Sequence, residues 1–259
     1  MKNTVIVCLT FDFDAESVQI RQLEEPGRIS KGQFAIKRGI PRILSLLKKH
    51  EIYCTFFTCG WVAEKYPELT GDIVTNGHEI AAHGYLHESL DSISIYEEEE
   101  IFNRTDRALK EITKNIRGFR APYWKLSPNT LELVAKTGYI YDSSLFDDDR
   151  PYFLQIPDST EKLVEFPVEW FLDDWIIFEE QQNSPTTALD IWKSQFDAFI
   201  KVEDIPDTYR VFQITFHPAC IGHAYRIRVV DQLISYMKKT DYTVKFEKMG
   251  DVAENILAK

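Results

Sequence analysis

The chain has 259 residues, 44% of them hydrophobic and 13% aromatic, a composition that excludes an intrinsically disordered protein and suffices for one large core. Its formal net charge of −11 at pH 7 argues against a nucleic acid partner, because phosphates need a basic face, and mildly against anionic membranes. The sequence shows no apolar stretch of about 18 residues and no secretory signal pattern, so we expect a cytoplasmic protein without a membrane partner. Its four cysteines form no metal or disulfide pattern, and we expect reduced thiols.

Short apolar strands alternate with helical patterns along the chain. In chain order, the predicted elements are strand 5–13, helix 38–50, strand 53–58, a helical stretch ending at 76, strand 79–83, helix 94–114, strand 118–122, a helix from 127 to 138, strands 139–142 and 164–168, helix 186–202, strand 211–216, helix 224–239, strand 242–245 and helix 249–257. Ser127 is the expected N-cap of the helix that starts there. The stretches 17–36 and 144–162 are expected to be loops over the site or at subunit contacts.

This alternation indicates a parallel sheet with helices outside it. Polar residues cluster where the strands 5–13, 79–83, 118–122 and 211–216 end. In a barrel these ends converge on one face, where active sites form, whereas in an open sheet they would be spread along an edge. We therefore predict an α/β barrel. Because no linker or repeat is visible, we expect a single domain over residues 1–259.

Two aspartates end the first predicted strand. Because side chains alternate along a strand, Asp12 and Asp14 lie on the same face, while Phe11 and Phe13 face the other way. Two like charges at this distance are unstable unless a cation intervenes or one of them is protonated. The alternative is that both aspartates cap the next turn.

His83 and His87 follow the third predicted strand, and their spacing of four residues places them on one side of a helical turn. Two such imidazoles suit one metal ion. With Asp14 they give one oxygen and two nitrogen ligands, a common catalytic zinc set that leaves room for water. The alternative is a pair of solvent-facing histidines. We predict one divalent metal ion, zinc, although cobalt, manganese or nickel would also fit.

Three further residues follow strand ends or turns. Arg120 can clamp a carboxylate with two hydrogen bonds, and a surface salt bridge is the alternative. Pro122 fixes the next turn, so the Tyr123 N–H is expected to point into the site. His217 ends the strand 211–216 and suits a general acid.

The segment around Asp174 is a candidate partner for this histidine. Asp174 could supply the orienting carboxylate and Trp175 an aromatic wall, and an ordinary turn is the alternative. Trp124 and Trp175 could also stack on a sugar substrate, with core packing as the alternative.

The motifs TFDFD, HGYLH, RAPYW, FLDDW and TFHP resemble, in order, the five motifs of the polysaccharide deacetylases, the NodB-homology family or carbohydrate esterase family four. The resemblance covers nearly the whole chain and implies a distorted (β/α) barrel of seven or eight parallel strands, usually with zinc. It also implies roles for six residues: Asp12 as the base, Asp14, His83 and His87 as metal ligands, Arg120 as the residue that orients the base, and His217 as the acid.

One departure from the family pattern concerns the substrate. The common first motif has adjacent carboxylates, T-F-D-D, whereas Phe13 separates them here. With the stretches GHEIAAHGYLHE, YDSSLFDDDRPY and PVEWFLDD, this resembles a subgroup of peptidoglycan-deacetylase-like proteins, cyclic imide hydrolases and allantoinase-type enzymes. Allantoinase-type members lack the metal residues, so the intact Asp14, His83 and His87 argue against that activity. The subgroup implies a homo-oligomer, either a tetramer or a dimer.

Three functions stay open. The first is deacetylation of an N-acetylated amino sugar or its polymer, which the family name favours. The second is ring opening of a small cyclic imide or related amide, which the missing export signal, the reduced cysteines and the separated aspartates favour. Both hydrolyse a non-peptide carbon–nitrogen bond of a small-molecule or oligosaccharide amide. The third is a carbohydrate-binding pseudoenzyme, against which the intact ligands and acid argue.

Overall fold

The computed structural model describes residues 4–156, 162–202 and 210–258. Its strands are β1 (Thr4–Phe13), β2 (Thr55–Thr58), β3 (Glu79–Ala82), β4 (Gly118–Phe119), β5 (Tyr141–Asp142), β6 (Tyr152–Leu154), β7 (Leu163–Glu165), β8 (Val211–Phe216) and β9 (Thr243–Phe246). Its α-helices are α1 (Ser17–Arg21), α2 (Pro26–Phe34), α3 (Ile40–His50), α4 (Gly60–Lys65), α5 (Pro67–Thr75), α6 (Ile95–Ile112), α7 (Thr130–Lys136), α8 (Pro185–Phe199), α9 (Pro218–Ile221), α10 (Ile227–Met237) and α11 (Met249–Leu257).

The strands form one sheet in the order β6-β7-β5-β4-β3-β2-β1-β8, with β9 paired to β1. Neighbouring strands are parallel, except that β6 runs antiparallel to β7. The sheet curls into a half-barrel with helices around it, and the predicted distorted (β/α) barrel is confirmed. Beyond β8, a parallel bridge between Asp173 and Thr215 brings the segment around Asp174 beside the end of that strand.

The side chains of β1 alternate between two buried environments. Phe11 belongs to the larger hydrophobic cluster, which the helices cover. Cys8 belongs to a second cluster inside the barrel, together with residues of α11. Thr10 and Asp12 continue the Cys8 face toward the carboxyl end of the strand. The barrel interior therefore changes from apolar near α11 to polar at the carboxyl ends of the strands. The alternation of side chains along β1 places Asp12 at this polar end.

The segment 17–36 is helical, and the expectation of a loop was wrong. Pro26 occupies the first turn of α2, where its missing N–H costs no hydrogen bond. The Glu25 carboxylate caps the same helix by accepting the backbone N–H groups of Gly27 at 2.6 Å and Arg28 at 3.0 Å. These local signals start a helix even though the segment has few apolar residues.

Two other predicted boundaries also differ from the structure. The segment 144–162 contains β6, which pairs with β7, while residues 157–161 lie outside the described residues. The helix expected from Ser127 begins at Thr130, and Asn129 is its N-cap. Ser127 Oγ instead accepts the Asn129 N–H at 3.0 Å, so it stabilises the turn before the helix.

Gly118 tests the packing between β4 and β5. A Cβ added to this residue would lie 1.9 Å from the ring of Tyr141, its partner in the parallel register. Gly118→Ala is therefore expected to lower the free energy of unfolding by about 3 kcal/mol, at the upper end for overpacked cores. Gly71→Ala on α5 is the matched control, because a Cβ there has no neighbour within 4 Å. Urea denaturation should show the control unchanged or about 0.5 kcal/mol more stable; equal losses would contradict the packing argument.

Candidate active site

The carboxyl ends of the strands surround a cavity of about 350 Å³. Eight of the residues singled out from the sequence line it: Asp12, Asp14, His83, His87, Tyr123, Trp124, Trp175 and His217. Arg120 and Asp174 lie behind its wall, and both are fully buried. The structure thus brings together residues that are more than two hundred positions apart in the chain.

A buried ion pair joins Asp12 to Arg120. The Arg120 Nη1 group donates to Asp12 Oδ1 at 2.7 Å. Burial alone would raise the pKa of Asp12, but the positive charges of Arg120, His83 and His217 outweigh it and hold the pKa below its usual range. Asp12 is therefore ionised at neutral pH and can accept a proton.

Arg120 is itself fixed by four further contacts. Its Nη1 also donates to Thr10 Oγ1 at 3.1 Å. Its Nε and Nη2 groups donate to the carbonyl and the hydroxyl of Ser143 at 3.1 and 2.9 Å. The guanidinium carbon lies 4.0 Å from the centre of the Phe57 ring, a cation–π contact. These contacts leave the guanidinium one orientation, in which it meets Asp12.

Asp14, His83 and His87 form a cluster that can hold a metal ion. One ligand atom from each residue lies within 4.8 Å of the other two. The two His Nε2 atoms are 3.5 Å and 3.9 Å from Asp14 Oδ1. His83 Nδ1 donates to the Arg120 carbonyl oxygen at 2.8 Å, which directs Nε2 toward Asp14.

The protonation states of this cluster suit a cation. Burial, with the nearby His83 and His217, lowers the pKa of His87 well below its usual range, so its ring is neutral and can ligate a metal. Burial raises the pKa of Asp14, against the opposing charges of His83 and His217. A bound cation would reverse that rise, because it favours the ionised carboxylate. The residues present therefore fit a divalent metal ion.

The segment between the two histidines is not the helical turn that their spacing suggested. Gly84 and His87 have φ angles of 67° and 58°, both in the left-handed region. The Glu88 carboxylate accepts the backbone N–H groups of Tyr85 at 2.9 Å and Leu86 at 2.7 Å. This turn, rather than helical periodicity, brings both imidazoles to Asp14.

His217 lies across the cavity and is held by Asp174. Asp174 Oδ1 accepts both the Nδ1–H of His217 at 2.8 Å and its backbone N–H at 2.9 Å. Burial would lower the pKa of His217, but the charges of Asp173, Asp174 and Asp12 raise it well above its usual range. Its Nε2 lies 4.0 Å from Asp12 Oδ2, so Nε2 faces the cavity beside Asp12.

Tyr123 and Trp124 form the wall next to His87. Both residues have left-handed φ angles, 57° and 53°. The Tyr123 ring packs against the His87 ring with centroids 4.3 Å apart. Its hydroxyl accepts hydrogen bonds from Arg21 and Gln22 at 3.2 and 3.3 Å, which ties α1 to the metal-site wall.

Several site residues escaped the sequence analysis. Lys31 lines the cavity from α2, with its Nζ atom 4.4 Å from the centre of the Trp175 ring. Asp173 Oδ1 accepts the backbone N–H of Trp175 at 2.7 Å, so it forms the ordinary turn while its neighbour Asp174 orients the histidine. Ser143 directly follows a predicted strand, and that position was the available signal.

No helix in the ranges 4–156, 162–202 and 210–258 is long and apolar enough to cross a membrane.

The Asp12–Arg120 pair can be tested by a double-mutant cycle. Arg120→Met leaves Asp12 buried without its cation, and we expect a loss of about 3–5 kcal/mol in the free energy of unfolding. Adding Asp12→Asn to that variant removes the uncompensated charge. The loss of unfolding free energy in the double variant should therefore be smaller than the sum of the two single losses by at least about 1 kcal/mol. Urea denaturation of all four proteins measures this coupling, and additive losses would contradict a stabilising pair.

Comparisons with known proteins identify relatives of this chain. A family model described as polysaccharide deacetylase matches residues 3–141. The chain is 30% identical over 291 aligned positions to the peptidoglycan deacetylase of Helicobacter pylori, covering 99% of this chain and 98% of that protein. A crystal structure from Mycobacterium smegmatis, assigned as a polysaccharide deacetylase, is 33% identical to this chain, with a TM-score of 0.86. The match covers 99% of this chain and 91% of that one. The structure of PuuE allantoinase shares the fold, with a TM-score of 0.90 at 22% identity over 100% of this chain and 91% of that one. The chain belongs to the polysaccharide deacetylase family and, with it, to the hydrolases that act on carbon–nitrogen bonds.

Proposed function

We propose that this protein is a metal-dependent hydrolase that removes the acetyl group from an N-acetylated amino sugar. The observation that carries the proposal is that Asp12, held by Arg120, and His217, held by Asp174, lie 4.0 Å apart beside the Asp14, His83 and His87 cluster. A base, an acid and a metal site that face one cavity suit hydrolysis of an amide. The name of the Helicobacter pylori relative supports an acetylated sugar as the substrate.

Asp14, His83 and His87 are the proposed ligands of the metal, for which zinc is our first choice. One carboxylate and two imidazoles form a common catalytic zinc set. When bound, a divalent metal supplies a Lewis acid that polarises the amide carbonyl and lowers the pKa of water. Asp12 lies next to this cluster, with Oδ2 3.8 Å from His83 Nε2, and Arg120 holds its other oxygen away from the ligands.

The proton transfers fall to Asp12 and His217. Asp12 accepts the proton of the attacking water, because Arg120 keeps its carboxylate ionised. His217 donates its Nε2 proton to the departing nitrogen, because Asp174 holds the opposite ring nitrogen. Water thus adds to the carbonyl carbon, the carbon–nitrogen bond breaks, and the products are acetate and a free amine.

Tyr123, Trp124 and Trp175 are proposed to position the substrate. The left-handed backbone at Tyr123 turns its peptide relative to the strand, and its N–H is the proposed donor to the carbonyl oxygen. Trp124 and Trp175 line the cavity and offer aromatic faces to the sugar ring. The homo-oligomer implied by the resemblance stays a prediction, as does the single domain over residues 1–259.

A small cyclic imide or related amide is the second candidate substrate. The cavity of about 350 Å³ is near the lower end for small-molecule sites, and α1 and α2 wall one side of it through Val18 and Lys31. A cavity of this size suits one ring better than a polymer. The same acid, base and metal residues would open a cyclic amide, so the substrate decides between the candidates.

One parallel assay tests both candidates. Zinc-loaded protein is incubated with acetylated chitin oligomers and muropeptides, with acetate release as the readout, and with succinimide, dihydrouracil and hydantoin, with ring opening as the readout. His83→Ala should lose both bound zinc and turnover. Asp12→Asn should keep zinc, measured by elemental analysis, and lose about 10³-fold in kcat.

Each outcome of the assay is decisive. Acetate release supports the sugar deacetylase, and ring opening without acetate release replaces it with a cyclic amide hydrolase. An active Asp12→Asn protein would show that the base is assigned wrongly. Zinc binding without turnover of any substrate would favour the carbohydrate-binding pseudoenzyme.

The Asp174–His217 pair predicts a change in the pH profile. Asp174→Asn removes a charge that raises the pKa of His217, so the alkaline limb of the kcat profile should move to lower pH, and kcat at neutral pH should fall about 10²-fold. Asp190→Asn, an exposed residue of α8, is the matched control and should leave the profile unchanged. An unmoved alkaline limb in Asp174→Asn would mean that His217 is not the acid.

A further inference from the structure

Two acidic side chains lie side by side behind Arg120. Asp142 ends β5 and Glu165 ends β7, and they are partners in the parallel register between those strands. Both are fully buried. Among the described residues, neither carboxyl group forms an ion pair within 4.0 Å, because Arg120 makes its bonds to Asp12, Thr10 and Ser143. Among the described residues, no cation at ion-pair distance therefore offsets the two negative charges that the ionised carboxylates would carry.

In each carboxyl group of the pair, one oxygen accepts at least one hydrogen bond from residues 144 and 145. The other oxygen is left to interact with the second carboxyl group of the pair. Glu165 Oε1 accepts the backbone N–H groups of Ser144 and Leu145 at 3.0 and 2.9 Å, and Asp142 Oδ1 accepts the Ser144 hydroxyl at 3.0 Å. Within the described residues, Asp142 Oδ2 and Glu165 Oε2 have no partner beyond this pair. Two adjacent buried carboxylates cannot both ionise, so one proton between these two oxygens accounts for both.

The same turn holds Arg120. Ser143 accepts two of the guanidinium hydrogen bonds, through its carbonyl and its hydroxyl. The Ser144 hydroxyl donates to Asp142 and accepts the backbone N–H of Ala121, the residue after Arg120, at 2.9 Å. A displacement of this turn would therefore move both the side chain and the backbone of the arginine.

We propose that Asp142 and Glu165 share one proton and act as a positioning pair for Arg120. The pair fixes the turn 143–145, this turn fixes Arg120, and Arg120 fixes the base Asp12. The kinetic part of this inference rests on the proposed function, in which Asp12 accepts a proton, whereas the shared proton does not depend on it.

The surrounding charges place the proton on Glu165. Burial raises the pKa of both acids, and the Arg120 charge lowers that of Asp142, whereas the charge on Asp142 raises that of Glu165 further. Among the described residues, a further ionisable group beside the pair is Tyr152 of β6, the register partner of Glu165, whose hydroxyl donates to Asp147 at 2.7 Å. On α11, which packs against β7, the acidic side chains Asp251 and Glu254 are paired with Arg117, which also binds Glu79.

The first test is the pH dependence of stability in Glu165→Gln. The glutamine amide can donate to Asp142 in place of the shared proton but cannot ionise. Because folding raises the pKa of Glu165, the wild type takes up a proton on folding, and its stability falls as pH rises above the unfolded value of about 4.3. Between about pH 5 and pH 8, the Tm of Glu165→Gln should therefore fall less than that of the wild type, by about 3 °C.

The second test separates positioning from general stability. In Asp142→Asn the negative charge moves to Glu165, away from the Ser144 hydroxyl. The kcat of this variant should therefore fall about tenfold, with KM and bound zinc unchanged. Glu165→Gln should show a smaller loss of kcat. Glu98→Gln is the matched control, because Glu98 is also a buried acid that accepts bonds from Ser127 and Thr130 hydroxyls but lies outside the cavity lining. It should lower the Tm without changing kcat.

The outcomes are distinguishable. A Glu165→Gln protein whose Tm follows the pH dependence of the wild type would overturn the shared proton. A wild-type kcat in Asp142→Asn would overturn the positioning role. If instead Asp12→Asn were fully active, the proposed base would be wrong, while the stability test of the shared proton would still stand.

Discussion

The geometry of the site depends on one buried guanidinium. Arg120 has no exposed surface and meets Asp12 at 2.7 Å, an arrangement whose desolvation is tolerated because each of its three nitrogen atoms donates a hydrogen bond. Its carbonyl oxygen accepts the His83 Nδ1–H, so the same residue orients Asp12 through its side chain and the His83 imidazole through its backbone. A single strand end thus couples Asp12 to the cluster of Asp14, His83 and His87, and the positions of both would change if it moved.

The residues on strands were predictable because a strand repeats every two residues. Asp12 and Asp14 follow from that period, and Arg120 and His217 follow from their places at strand ends. Residues held by turns were not predictable in the same way. His87 reaches Asp14 through a left-handed backbone and the Glu88 cap rather than through a helical turn. Its spacing suggested the right partner for the wrong structural reason.

Segments with few apolar residues concealed the other differences. The stretch 17–36 forms α1 and α2 through a capping carboxylate and an early proline, and both are weaker signals than hydrophobic periodicity. Gly32 shows why this matters for the site, since a Cβ there would lie 2.4 Å from the Ala15 carbonyl oxygen. The close approach places Lys31 in the cavity wall. Sequence patterns therefore predicted the polar residues that meet at the strand ends but not this part of the cavity wall.

In the proposed mechanism, the acid His217 and the base Asp12 hold opposite charges 4.0 Å apart because each has its own partner behind the wall. Arg120 favours the ionised form of Asp12, and Asp174 favours the protonated form of His217. Each of the two cavity groups also stabilises the charge of the other. Proton transfer to Asp12 and from His217 removes both charges, which weakens the buried pairs that maintained them. The free enzyme is therefore the state that these pairs favour, and a proton returned from Asp12 to His217 after the reaction would restore it.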